Sequence, residues 1–357
     1  MRILGTGTAV PHNILTNDML STMVETSDEW IRSRTGIQAR HIATNETTLS
    51  LALEASQAAL DAACGPEGIR RDKIGIIICA SVSNETRCPS LACQLQRDLG
   101  LRENVLAFDL NAACTGFVYA LIVASRFVDD NSYALIVGVE VLSRLMDFTD
   151  RETCVLFGDG AGAVVVAPSA PVCATGTAGT IGTTGTTGTI GTTGTAGTTG
   201  TTFSPSAGAG PTTTAAAVTT TQPLFQWVAQ AQGNSELLYI DNNIHMDGQG
   251  VFKFAVEVLV KSIRDVVAKS SLALEDIDLL ICHQANERII NSAAKRLGLP
   301  FERFFMNLAH FGNTSAASIP LALDEAIKTG ALRHGSTIVL AGFGGGLTAG
   351  AICLYWE

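Results

Sequence analysis

Two segments from opposite halves of this chain are built to one plan. Lys73–Ser81 (KIGIIICAS) and Asp276–Gln284 (DIDLLICHQ) each follow a helix-like stretch, and each is a short apolar run rich in β-branched residues. A run apolar at consecutive positions is covered on both faces, as a strand is inside a sheet flanked by helices. The likeness continues in order along the chain. Ala107–Thr115 (AFDLNAACT) matches Phe305–Thr314 (FMNLAHFGNT), in each case a strand leading into a helix start. Tyr133–Leu142 matches Ser336–Gly345, and Gly158–Val166 matches Leu347–Leu354. Such a series points to a duplicated α/β chain whose halves pack about a pseudo-twofold axis. Equivalent strands then aim their C-terminal ends at one crevice, where α/β sheets take their ligands.

The halves span residues 1–169 and 223–357. Between them, 170–222 is dominated by Gly, Thr and Ala, with runs such as Gly182-Thr183-Thr184-Gly185. It has too few large side chains to offset the entropy of ordering, and it reads as a flexible surface insertion. At 357 residues and 46% hydrophobic content, the remainder can bury a large core. A formal charge of −10 opposes non-specific nucleic-acid binding, which needs a basic surface. The 9 cysteines are odd in number and form no CxxC pair, which points to reduced thiols and to neither a disulfide framework nor a zinc or other metal site. Neither a signal-peptide core nor an apolar run of spanning length is present, so a cytoplasmic protein with no membrane role is expected.

Cys114 sits where the apolar run Val105–Leu110 gives way, through Asn111-Ala112-Ala113, to a helix-like run from Thr115. A thiol in the first turn of a helix faces unpaired N–H groups and the positive end of the macrodipole. Both favour the thiolate, the form that attacks carbonyl carbons. Phe117, Ala120, Leu121, Ala124, Phe127 and Val128 share one face of this helix, which should be buried. Alone, an inert core cysteine is the commoner fate. His283, however, is the only histidine that directly follows a long buried strand, Ile277–Cys282. Asn313, in Gly312-Asn313-Thr314-Ser315, occupies a strand end roughly equivalent to that of Cys114. Gly344-Gly345-Gly346 after the strand Ile338–Ala341 is either a tight turn or, with the Cys114 N–H, an oxyanion hole. Three polar groups aimed at one crevice form a constellation that none makes alone.

Together Asn111-Ala-Ala-Cys114-Thr-Gly-Phe, His283-Gln-Ala-Asn286, Gly312-Asn-Thr-Ser-Ala-Ala-Ser and Phe343-Gly-Gly-Gly resemble the β-ketoacyl-[acyl-carrier-protein] synthase III family of the thiolase superfamily. Thr26-Ser-Asp-Glu-Trp30-Ile, Arg34-Thr-Gly-Ile and Phe157-Gly-Asp-Gly-Ala-Gly-Ala fit the same family, in the same order and over the whole chain outside 170–222. The resemblance implies an α/β thiolase-like fold, its duplicated halves forming five layers, αβαβα. It implies an enzyme that joins an acyl-CoA, acetyl-CoA above all, to malonyl-acyl-carrier-protein and so initiates type II fatty acid synthesis. Cys114 would carry the acyl group, with Cys114 and Gly345 as oxyanion hole. His283 and Asn313 would hold the thioester oxygen of the malonyl group as CO₂ leaves. CoA is a substrate here, and no resident cofactor is implied.

By the same resemblance Trp30 and Arg151 would flank the adenine, with Thr26, Arg34 and Asn286 holding the rest of CoA. An aromatic face and a guanidinium plane both stack on a purine; away from its motif Trp30 would be an ordinary half-buried aromatic. Cys88 and Phe343 would border the acyl pocket. Cys88 stands where acetyl-specific relatives carry a phenylalanine, in a loop that a homodimer would lend to the partner's site. Lys253, Arg288, Lys295 and Arg296 form a candidate dock for an acidic carrier protein, or else solvated helical faces. A relative of secondary metabolism using another primer, and a non-catalytic CoA- or carrier-protein-binding module, stay open as rivals.

Overall fold

Alternation within each strand decides which layer its side chains enter. The computed structural model describes residues 1–64, 69–129, 132–169, 224–234 and 236–357. The expected flexible insertion at 170–222 lies outside the described residues. The first sheet has five strands in the order β1 (Arg2–Ala9), β7 (Gly160–Ala167), β6 (Tyr133–Glu140), β4 (Ile74–Ala80) and β5 (Leu106–Leu110). The second runs β8 (Phe225–Asn234), β13 (Gly346–Tyr355), β12 (Thr337–Gly344) and β11 (Leu279–Cys282). In both, the parallel pairing (β4 with β6, β11 with β12) adjoins antiparallel neighbours. Two small ribbons complete the strands: β2 (Ile14–Thr16) with β3 (Ala39–His41), and β9 (Leu238–Ile240) with β10 (Ile244–Met246).

The sheets stack with helices on every face. In β4, Ile77 and Cys79 point outward beneath the helices Thr48–Ala63 and Leu91–Asp98. Ile76 and Ile78 point inward against Phe117 and Leu121 of the helix Gly116–Ala124 and, across it, Ile319 and Leu323 of the helix Ser318–Lys328. Ile281 and Leu340 close this middle layer from the second sheet. On that sheet's outer face, Val339 and Cys353 pack against the helices Gly248–Lys269 and Glu287–Leu297. The result is five layers, αβαβα, with Cys353 in the core.

Two expectations need correction. The segment from Phe305 does not form a strand. Phe304 makes an isolated parallel bridge to Leu280, and a short helix, Leu308–Phe311, follows. The reason is a side chain: Gln284 Oε1 accepts from the N–H groups of Asn307 (3.1 Å) and Leu308 (3.3 Å). Those donors are thereby withdrawn from any strand partner. Likewise Phe127 is not buried with the helix before it. That helix ends at Ala124, and Phe127 donates back to Ala124 at 2.9 Å in a tightened turn that leaves its ring 49% exposed.

The duplication is sharpest at the two turns that enter the middle layer. Ala113 (φ 45°) and Ser315 (φ 47°) are both in the left-handed region. Each opens a 3₁₀ turn, Ala113–Thr115 or Ser315–Ala317, and a helix follows. Asn111 Oδ1 accepts from Ala113 N at 3.3 Å, and Asn313 Oδ1 accepts from Ser315 N at 2.9 Å. The true counterparts are therefore Asn111 with Asn313 and Cys114 with Ala316, a finer registry than the rough pairing of Cys114 with Asn313.

Candidate active site

Cys114 follows the left-handed Ala113, so the turn swings its side chain off the strand line and into the space above β12. The approach is tight. A Cβ on Gly344 would stand 2.8 Å from Cys114 N and 2.9 Å from Cys114 Cβ, so that position accepts only glycine. Thr348 pins the turn from the other side, donating to the Ala112 carbonyl (3.2 Å) and lying 3.0 Å from the Thr115 hydroxyl.

His283 extends the β11–β12 ladder by one rung, donating its N–H to Ala341 O at 2.8 Å. Its Nδ1 lies 2.6 Å from Ser318 Oγ, and that oxygen also accepts from Gln284 N at 3.4 Å. Gln284 N takes one lone pair of this oxygen, and its proton is available to donate to Nδ1. The imidazole proton is then held on Nε2, the edge free to donate. Asn313 is fixed at both ends of its backbone, donating to Leu156 O (2.8 Å) and accepting from Gly158 N (3.0 Å). Its carboxamide oxygen is taken by Ser315 N, which leaves the NH₂ group to point at a ligand.

Cys114, His283 and Asn313 line one cavity of about 80 Å³, with Phe343, Gly344 and Asn286. Burial dominates its electrostatics. It pushes the Cys114 thiol up to about 12 and holds His283 down to about 3, so the imidazole is neutral. This corrects the simple helix-terminus expectation of a ready thiolate. The 3₁₀ turn and a nine-residue helix cannot offset full desolvation, so the resting group is a thiol.

Beyond Cys114 lies a second cavity of about 430 Å³, walled by Leu142, Leu145, Leu238 and Ile244 and touching Gly345 and Ser315. Phe343 borders the first cavity, whereas Cys88 is exposed and lines neither. On the other side an outer cavity of about 490 Å³ shares Leu156, Gly248, Phe252 and Asn286 with the first. Trp30, Arg34 and Arg288 stand in its wall. The guanidinium carbons of Arg34 and Arg151 each lie 4.9 Å from the Trp30 ring centroid. The Thr26–Trp30 motif places that ring by capping: Ser27 Oγ accepts from Trp30 N at 3.1 Å and opens the helix Asp28–Thr35. Thr26 Oγ1 is buried without a hydrogen-bond partner. Asn286 caps the next helix, accepting from Arg288 N (2.8 Å) and donating to Arg34 O (3.1 Å). Arg288 lies over Phe252 at 5.8 Å, while Lys253, Lys295 and Arg296 are exposed outside this wall.

Sequence reasoning missed Ser318, Gln284 and the apolar wall of the second cavity. Ser318 and Gln284 lie inside motifs quoted for other residues. The wall residues carry no sequence signal, because leucine and isoleucine lining a pocket look like core. The Phe157-Gly158-Asp159 motif is a buried strut. Asp159 accepts from Ala43 N (2.7 Å), Ser143 N (2.9 Å) and Ser143 Oγ (2.6 Å), tying two loops together.

Comparison with known proteins identifies the family. Models of the 3-oxoacyl-[acyl-carrier-protein] synthase III family match residues 108–184 and, for its C-terminal part, 267–356. The chain is 43% identical to β-ketoacyl-[acyl-carrier-protein] synthase III of Clostridium acetobutylicum over 100% of its own length and 98% of that protein. The protein of the same description from Xanthomonas campestris is 42% identical, over 99% of this chain and 97% of the other. The crystal structure of 3-oxoacyl-[acyl-carrier-protein] synthase III from Aquifex aeolicus superposes with a TM-score of 0.82 at 38% identity, covering 99% of both chains. Fold, cavity and sequence converge: the chain belongs to the β-ketoacyl-[acyl-carrier-protein] synthase III family of the thiolase superfamily.

Proposed function

We propose that this protein is the condensing enzyme that begins type II fatty acid synthesis, joining an acyl-CoA primer to malonyl-acyl-carrier-protein with loss of CO₂. The observation that carries the reading is that Cys114, His283 and Asn313 line one cavity, reached from an outer cavity walled by Trp30 and Arg34. Cys114 takes the acyl group from CoA, with the N–H groups of Cys114 and Gly345 holding the oxyanion. CoA leaves and malonyl-carrier-protein enters, a ping-pong order. The His283 Nε2–H and the Asn313 NH₂ then donate to the thioester oxygen while the carboxylate departs. The carbanion attacks acyl-Cys114 and releases 3-oxoacyl-carrier-protein. Thioester chemistry of this kind calls for no resident cofactor. Intact-mass measurement tests the reading: acetyl-CoA adds one acetyl group at Cys114, and malonyl-carrier-protein then removes it as product. A chain that stays unacylated overturns it.

CoA enters past Trp30, its adenine displacing Arg151 from the ring, with Thr26, Arg34 and Asn286 along the path. Two exposed features support a homodimer. β5 is an edge strand with Leu106 51% exposed, and the second cavity is open beside Tyr239 (42%) and Ile240 (38%). Pairing of β5 with its copy would bring the partner's Cys88 loop over that cavity. Among the described residues no helix is long and apolar enough to cross a membrane, which accords with a cytoplasmic site.

Two consequences are measurable. Cys88 is smaller than phenylalanine, and the pocket behind Cys114 is apolar, so butyryl- and isobutyryl-CoA should acylate Cys114 within about tenfold of acetyl-CoA. A clear preference for acetyl-CoA in a competition assay removes that idea. Carrier-protein docking on Arg288, Lys253, Lys295 and Arg296 predicts that Arg288→Glu raises KM for malonyl-carrier-protein by about five- to tenfold, with a smaller effect on acyl transfer from CoA, whose outer cavity Arg288 also borders. Unchanged steady-state kinetics would take Arg288 out of the dock.

A further inference from the structure

A buried carboxylate close to the nucleophile has no part in the chemistry above. Glu140 ends β6, in the place that Gly344 holds at the end of β12, and is fully buried. Its oxygens accept from Ser83 Oγ (2.5 Å), Ser83 N (3.1 Å), Val82 N (3.1 Å), Ser81 Oγ (3.3 Å) and Ser315 Oγ (3.2 Å). Burial pushes this carboxyl up to about 7. The titratable group it faces is the Cys114 thiol, and Cys114 and Ser315 line the same second cavity, their two 3₁₀ turns packed together. Ser315 therefore stands between the two. Because its hydroxyl donates to Glu140, its lone pairs are left to accept from the thiol. The position is held at a cost, since a buried serine adopts φ 47°, and such strain gathers where geometry serves chemistry.

We propose that Ser315 and Glu140 form a proton relay that discharges the Cys114 thiol during acyl loading. The relay rests on Cys114 being the acyl acceptor. As Sγ bonds to the acyl carbon, its proton passes to Ser315 Oγ and the Ser315 proton passes to Glu140 Oε1. The bond from the acyl carbon to the CoA sulfur breaks, and the CoA thiolate takes a proton from water. In condensation the carbanion displaces Cys114 as a thiolate, and Glu140 returns the stored proton through Ser315. The full cycle consumes one proton from water, as loss of CO₂ from a carboxylate requires. His283, held neutral to about pH 3, is too weak a base for this task.

The relay separates the half-reactions. Single-turnover acetylation of Cys114, followed by intact mass, and decarboxylation of malonyl-carrier-protein are measured on wild type, Glu140→Gln and Ser315→Ala. In either variant the ratio of acylation to decarboxylation at pH 7 falls by about 30-fold or more, within the range for lost general-base assistance. The pH profile carries the second readout. Wild-type acylation falls as pH drops below about 7, where Glu140 takes a proton and can accept no more. Both variants lose that limb and accelerate steadily with hydroxide. Ser315→Ala keeps the backbone N–H that holds Asn313, so it tests the relay even if Glu140→Gln folds poorly. Proportional loss of both half-reactions, or an unchanged acylation profile in both variants, overturns the relay. Wild type that never acylates at Cys114 would overturn the functional reading instead.

Discussion

Cys114→Ala abolishes acyl loading and lowers overall condensation by about 10⁴-fold or more, because no other group replaces a covalent acceptor. Decarboxylation of malonyl-carrier-protein survives in the same variant, since that step uses donors from the second half of the chain. The split is checked by intact mass for the acyl adduct and by CO₂ release for decarboxylation. Among the described residues the other cysteines give no rescue. Cys79, Cys154, Cys282 and Cys353 are buried in the core, and Cys64, Cys88 and Cys93 are exposed away from the cavity. Persistent acylation of the Cys114→Ala protein would place the nucleophile elsewhere.

His283→Ala and Asn313→Ala give the mirror image. Each lowers decarboxylation by about 10²- to 10³-fold, the usual effect of removing one donor from a developing oxyanion. Acylation of Cys114 is affected far less. Burial holds His283 down to about 3, so the neutral, donating imidazole persists as pH falls through the range where a solvated histidine would charge. Wild-type decarboxylation therefore shows no histidine limb from about pH 5 to 8. Ser318→Ala frees Nδ1, and part of the His283 population then carries its proton on the wrong nitrogen. An inflection at about 6.5 in the wild-type decarboxylation profile would show that the ring is solvated and that the donor assignment is wrong.

Much of the fold was legible because its signals are local. Runs such as Ile74–Ala80 and Leu279–Cys282 declare strands covered on both sides, and their ordered recurrence declared the duplication. The segment after Phe304 was misread because a distant side chain, Gln284, claims its backbone donors. No window of sequence contains that competition. Phe127 was misread because helical spacing cannot say where a helix stops.

The same division runs through the site. Sequence alone determined the chemical types, a cysteine, a histidine and an asparagine each at the end of an apolar segment, together with the glycine and serine turns that aim them. Only the tertiary structure decided their electrical state. Whether Cys114 is a thiol or a thiolate depends on how much water the surrounding layers exclude, and desolvation is a property of the assembled fold. Only the tertiary structure, too, placed Glu140 behind Ser315, since these residues come from different halves and meet where one turn crosses the other half's strand. Local propensity sets the parts; packing across the pseudo-twofold axis sets which of them share a proton.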